Sequence, residues 1–241
     1  MSAGPFHLVI CPGAWSPPAQ WDGFVEAMKR APVDLSGVTT ARWPETDMGL
    51  AAHAEAVLRA IPDQGQPVVL MGHSFGAFPM LEAGATLDAR LRGAVFVDGF
   101  LPDHGLSAFA QSAQSRGPSA MRATARGGMV PPPDPAIWGL ESDLADELKQ
   151  TMQPHSLASF EEDLSPQARS VIDTLPRKAF IGASAHRGSG NPFKRAFEGL
   201  EGREDWFSVQ INGGHMLHIE RPSALAYWCS QFLRMVAGKG F

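Results

Sequence analysis

Gly72-His73-Ser74-Phe75-Gly76 is a G-x-S-x-G pattern, and Ser74 at its centre is the first residue here that could do chemistry. The pattern belongs to the nucleophile elbow, a sharp strand-to-helix turn that presents a serine hydroxyl. Glycines flank the serine because the turn is tight and the serine is held at a strained backbone angle. A chain with 25 glycines can produce such a match by chance. The flanks argue otherwise. Pro67-Val68-Val69-Leu70-Met71 is a short apolar run of strand formers, and 75–85 reads as a helix of small and apolar residues.

A serine hydroxyl is a poor nucleophile at neutral pH and needs a base beside it. Where this elbow is used, the base histidine comes last in the chain, after the final strand. His215 fits: it follows a predicted strand at 206–211 and Asn212-Gly213-Gly214, and precedes the C-terminal helix. Among the other histidines, His73 adjoins Ser74 but is expected to point away from it at the elbow. His218 lies within a turn of His215 and is the competing base; its simpler reading is a packing residue.

These residues need a frame. Strands are predicted at 6–11, 38–43, 68–71 and 94–97, and helices at 19–30 and 48–61. That alternation implies a mostly parallel central sheet with helices on both faces, an α/β fold. From 101 to about 175 no strand-like run is apparent. Pro131-Pro132-Pro133 and mixed polar helices read instead as a mostly helical lid over the sheet's carboxyl edge. The alternation resumes with strands at 178–182 and 206–211 and helices at 192–200 and 222–235. The expected organisation is a core of 1–100 and 176–241 with 101–175 as a cap insertion.

With these motifs in place, the chain resembles the α/β-hydrolases, in the branch of plant hydroxynitrile lyases, plant methylesterases and small bacterial esterases. Cys11-Pro12-Gly13-Ala14-Trp15, the elbow, Val95-Phe96-Val97-Asp98-Gly99-Phe100-Leu101-Pro102 and Gly213-Gly214-His215-Met216 carry the resemblance. It implies a lid inserted after the sixth strand of the family's count. It also implies an oxyanion hole from the backbone N–H groups of Phe75 and Ala14. Pro12 stands where many relatives carry histidine; it stiffens the loop and leaves the Ala14 amide intact.

The triad acid departs from the common pattern. Most relatives place an aspartate just after the strand that follows the lid, and 180–190 contains no acid. A second slot in this fold, at the end of the strand after the nucleophile helix, holds Asp98. A carboxylate at the tip of a buried strand needs a partner, and protonated His215 is a natural one. Two other readings stay open: Asp98 as a cap of the following turn, and a Ser-His dyad.

The expected reaction is hydrolysis of a small or medium apolar carboxylic ester or lactone through an acyl-enzyme. Pocket candidates are Phe100, Phe109, Met121, Met129, Ile137, Trp138 and Phe160. One alternative is C–C cleavage of the hydroxynitrile-lyase type, which wants a lysine at the site; Lys178 and Lys194 both fall on elements placed elsewhere. The other is a non-catalytic ligand-binding homologue. Cys11 and Cys229 read as core thiols.

Metal spacing, phosphate loops and dinucleotide fingerprints are not found, so no cofactor is expected. The net charge of −5 does not suggest a nucleic-acid or anionic-membrane binder. No signal peptide or membrane span is read, and a cytoplasmic setting is the default. The expected partner is a small-molecule ester, with a homodimer left open.

Overall fold

The apolar run Phe6–Cys11 forms β1, buried along its whole length. In the computed structural model, residues 5–62, 65–102, 106–112, 116–185 and 191–238 are described. In chain order there follow α1 (Asp22–Lys29), β2 (Leu35–Thr40), α2 (Leu50–Arg59), β3 (Val68–His73), α3 (Ala77–Gly84) and β4 (Leu91–Val97). The next stretch holds α4 (Ala108–Gln111), α5 (Gly117–Thr124), β5 (Met129–Val130), α6 (Ser142–Thr151), β6 (His155–Ser156), α7 (Leu157–Glu161) and α8 (Pro166–Thr174). β7 (Lys178–Ala183), α9 (Pro192–Glu198), β8 (Trp206–Ile211), α10 (Leu217–Glu220) and α11 (Pro222–Val236) complete the chain.

Six strands make one sheet in the order β2-β1-β3-β4-β7-β8, and every pairing in it is parallel. A parallel sheet covered on both faces buries both sides of its strands, so they read as continuous apolar runs rather than alternating ones. Successive strand residues feed two cores. Val9, Cys11, Leu70, Phe96 and Phe180 face one, shared with α2 and α3. Leu8, Ile10, Val69, Met71, Val95 and Ile181 face the other, against Phe24 and Met28 of α1 and Leu225, Cys229 and Phe232 of α11. The α11 residues recur at helical spacing, which is why the segment folds as a helix with one buried stripe.

The register lines up the carboxyl ends: Cys11 pairs with Gly72, His73 with Val97, Val97 with Ile181 and Ala183 with Ile211. Loops leaving that edge therefore converge, as ligand-binding loops do in open parallel sheets.

Two expectations are corrected here. The second strand covers Leu35–Thr40, not 38–43, because pairing with β1 selects the register Phe6 to Leu35 through Ile10 to Thr40. The region 101–175 is not free of strand: β5 and β6 form a short antiparallel ladder. Those two strands are two residues each, too short for a hydrophobic period to betray them.

The stretch between β4 and β7 is fastened to the core by polar bonds. Ser156 Oγ donates to Asp47 Oδ1 at 2.8 Å, and the Ser165 hydroxyl donates to Glu82 Oε2 at 2.8 Å. Glu162 Oε2 accepts the Leu50 N–H at 2.7 Å. α2 begins at Gly49 with no side-chain cap of its own, so a carboxylate from a distant segment satisfies its first turn.

Candidate active site

β3 runs straight into the elbow. Ser74 takes φ 52°, and Ser74–Gly76 make one 3-10 turn before α3 continues. A left-handed angle at a non-glycine residue costs of order 1 kcal/mol or more. Trp15 (φ 63°) and Asp98 (φ 32°) share this strain, and both lie on the loops that converge on Ser74. Gly76 itself has an ordinary φ of −55°. It is glycine for clearance: a Cβ there would lie 2.1 Å from the Cys11 carbonyl oxygen and 2.4 Å from that of Pro12. The elbow is thus pressed onto the loop after β1, which brings Ala14 beside the serine.

Asp98, at the end of β4, is buried and bonded on both oxygens. Oδ2 lies 2.7 Å from Nδ1 of His215, and Oδ1 accepts the Ala183 N–H at 3.0 Å. His215 is also buried, at 3 % exposure. With Nδ1 turned to a carboxylate, Nε2 is the nitrogen left to serve as a base. The loop bearing His215 is held in turn: the Gly214 N–H donates to Glu220 Oε2 at 3.0 Å, and His73 Nε2 lies 3.0 Å from the His215 carbonyl oxygen. His73 therefore supports the His215 main chain. His218 is fully buried and stacks on Trp21, centroids 4.0 Å apart and planes 7° apart; burial drives its pKa well below the usual histidine value. Residues 186–190, in the slot where relatives keep their acid, lie outside the described residues.

Ser74, His215, Ala14 and Phe75 all line one cavity of about 680 Å³. Of the predicted pocket residues, Phe100, Phe109, Met121, Ile137, Trp138 and Phe160 line it, and Met129 does not. Met129 faces a separate recess with Trp43 and Gln153, because as part of β5 its position is set by pairing with Ser156. Trp15, Pro131, Pro132, Pro133 and Phe193 also line the main cavity, unforeseen from sequence. Among the described residues lining it, none is Lys, Arg, Asp or Glu. Lys178 pairs with Asp205 at 2.9 Å, at the start of β7 and the far edge of the sheet. Lys194 faces a second cavity of about 980 Å³, which reaches Asp98. The Cys11 thiol is buried and its pKa is pushed far above the usual thiol range, so it stays protonated and inert. Among the described residues no cluster of metal-ligand type occurs, and no helix is long and apolar enough to cross a membrane.

A parallel sheet covered on both faces, with an elbow after its third strand, is the fold of one class, and the comparisons agree with that fold. Residues 8–226 match the model of the alpha/beta hydrolase family, and the chain belongs to that family. It is 22 % identical to a carbendazim hydrolyzing esterase from Nocardioides sp. (strain SG-4G), over 91 % of this chain and 96 % of that protein. Among solved structures, an extracellular α/β-hydrolase from a Paenibacillus species superposes with a TM-score of 0.77 at 16 % identity, covering 95 % of this chain and 99 % of the other. Polyneuridine aldehyde esterase superposes with a TM-score of 0.64 at 17 % identity, covering 94 % and 98 %.

Proposed function

We propose that this alpha/beta hydrolase is a serine esterase that cleaves small or medium apolar carboxylic esters or lactones through an acyl-enzyme. The observation that carries the reading is the buried 2.7 Å bond from His215 Nδ1 to Asp98 Oδ2, with Ser74 and His215 on one apolar cavity.

Ser74 Oγ attacks the ester carbonyl as His215 Nε2 takes its proton. Asp98 fixes the tautomer and stabilises the imidazolium that forms. The N–H groups of Ala14 and Phe75 receive the oxyanion. His215 then protonates the leaving alkoxide, and the same nitrogen activates water to release the acid. Among the described residues the wall is uncharged and aromatic-rich, which suits a neutral acyl or alcohol group, since a substrate carboxylate would be desolvated there without a cationic partner. The esterase names of the similar proteins support the reaction class. The lyase alternative lacks its electrostatic partner, because no lysine lines the cavity among the described residues.

The test is turnover of p-nitrophenyl esters by the pure protein, with labelling by a serine-reactive phosphonate. Both are expected with wild type and neither with Ser74→Ala. Absence of both in wild type would overturn the proposal.

A further inference from the structure

His215 has an aromatic partner that the mechanism above does not use. The ring of Phe193 lies parallel to the imidazole, 3° between planes and 5.0 Å between centroids. Phe193 is 9 % exposed, and Phe100 packs edge-on against it at 4.9 Å. Its backbone is fixed as well. Asn191 caps α9, accepting the Phe193 N–H at 2.9 Å and the Lys194 N–H at 3.3 Å, and Pro192 occupies the first helical turn. An N-cap followed by proline sets a helix start with little freedom.

The position of that ring matters because of what lies on its two sides. Phe193 lines the main cavity, which holds Ser74 and His215. It also lines the second cavity, which holds Asp98 and is walled by Ser184, Lys194, Glu198, Arg203 and Gln210. Such a polar recess is wettable. A carboxylate–imidazole hydrogen bond is strong where the surroundings are apolar and weakens where water reaches the imidazole N–H.

We infer that Phe193 is a positioning residue: its ring fixes the plane of His215 and seals the imidazole side of the Asp98–His215 hydrogen bond from the polar cavity, which reaches Asp98. The catalytic consequence rests on the serine esterase reading; the sealing does not. Leucine would keep the apolar volume without a flat face to stack. Tyrosine would keep the flat face.

The test compares wild type, Phe193→Leu and Phe193→Tyr. It measures p-nitrophenyl ester kinetics and, by proton NMR, the rate at which the low-field His215 Nδ1 proton exchanges with solvent. Phe193→Leu is expected to lower kcat about tenfold with KM within about threefold, the pattern of a lost transition-state geometry. Its proton exchange should accelerate by about tenfold or more, as expected of a bond opened to water. Phe193→Tyr should keep the slow exchange of wild type and a kcat above that of Phe193→Leu. Phe193→Met replaces the leucine variant if that does not give a cooperative melt. Wild-type exchange in the leucine variant, or a tyrosine variant as impaired as leucine, overturns the inference. So does a wild-type protein whose Nδ1 proton is already too fast to observe. An inactive wild type with the predicted exchange pattern overturns only the esterase reading.

Discussion

His73 Nε2 stands 3.0 Å from the carbonyl oxygen of His215, a bond between the residue before the elbow serine and the residue that faces it. The two rings also pack at 4.6 Å. His73 is buried, so this contact couples the elbow to the loop after β8 in a dry setting. His73→Ala removes the donor and leaves the His215 carbonyl underserved, at a cost of about 1–3 kcal/mol. The expected outcome is a kcat lower by about tenfold or more, because the loop that carries His215 loses its hold beside the elbow and a small displacement of the imidazole raises the barrier. His73→Gln, which can still donate, should recover part of it. Steady-state kinetics on an activated ester check this.

Asp98→Asn tests the proposed acid. Asparagine tolerates the left-handed backbone that Asp98 adopts, so the fold should persist. Its carbonyl oxygen can still accept the Ala183 N–H. Its amide, turned to His215, would offer a donor where the imidazole N–H needs an acceptor, and select the wrong tautomer. We expect kcat to fall by about a thousandfold or more, with thermal melting little changed. Unchanged turnover would point to a Ser-His dyad.

Gly76→Ala tests clearance at the elbow. The added methyl would meet two backbone oxygens at 2.1 and 2.4 Å, which cannot swing aside as a flexible side chain can. A loss of about 3 kcal/mol or more, or failure to fold, is expected by the measure of overpacked sites. Gly202→Ala is the comparison. Its methyl would meet nothing within 4 Å, but its φ is +76°. That variant should lose only about 1–2 kcal/mol, the left-handed penalty. Chemical denaturation of both separates contact from conformation.

Four buried histidines make stability fall in acid. Burial lowers the pKa of His7, His53, His155 and His218 below the ordinary 6.5, the last two strongly. Below pH 6.5 the unfolded chain therefore binds more protons than the folded one. Stability is full above that pH and declines as pH drops toward the folded values, by about 1.4 kcal/mol per pH unit for each proton difference. His218 offers a clean variant, since among the described residues neither ring nitrogen has a hydrogen-bond partner, and the ring stacks on Trp21. His218→Phe should keep the stack, hold stability at pH 7 and flatten the acid slope by about one proton. Melting temperature against pH from 7.5 to about 5 reads both.

The cavity wall predicts selectivity. Pairs of esters of similar size, one neutral and one bearing a carboxylate on the acyl chain, should differ in kcat/KM by about a hundredfold or more in favour of the neutral one, the cost of an unpaired charge in an apolar site. Equal rates would place a cation against the substrate and redraw the pocket.

The elbow, the late histidine and the order of strands and helices were legible in the sequence because each is a local pattern. Strand runs, small residues at a tight turn and helical spacing act over a few residues, and Ser74 and His215 follow from them. Asp98 could be nominated from its place at the end of an apolar strand. Its bond to His215, 117 positions on, could not be read there, because it needs β4 to lie beside β7. That pairing depends on sheet register, which no local pattern encodes. The strain shared by Trp15, Ser74 and Asp98, the misplacement of Met129 and the stacking of Phe193 on His215 belong to the same class. Each arises where loops from separate strands converge on one edge. The chain alone singled out Ser74 and His215 as candidates; only packing across the sheet decided what surrounds them.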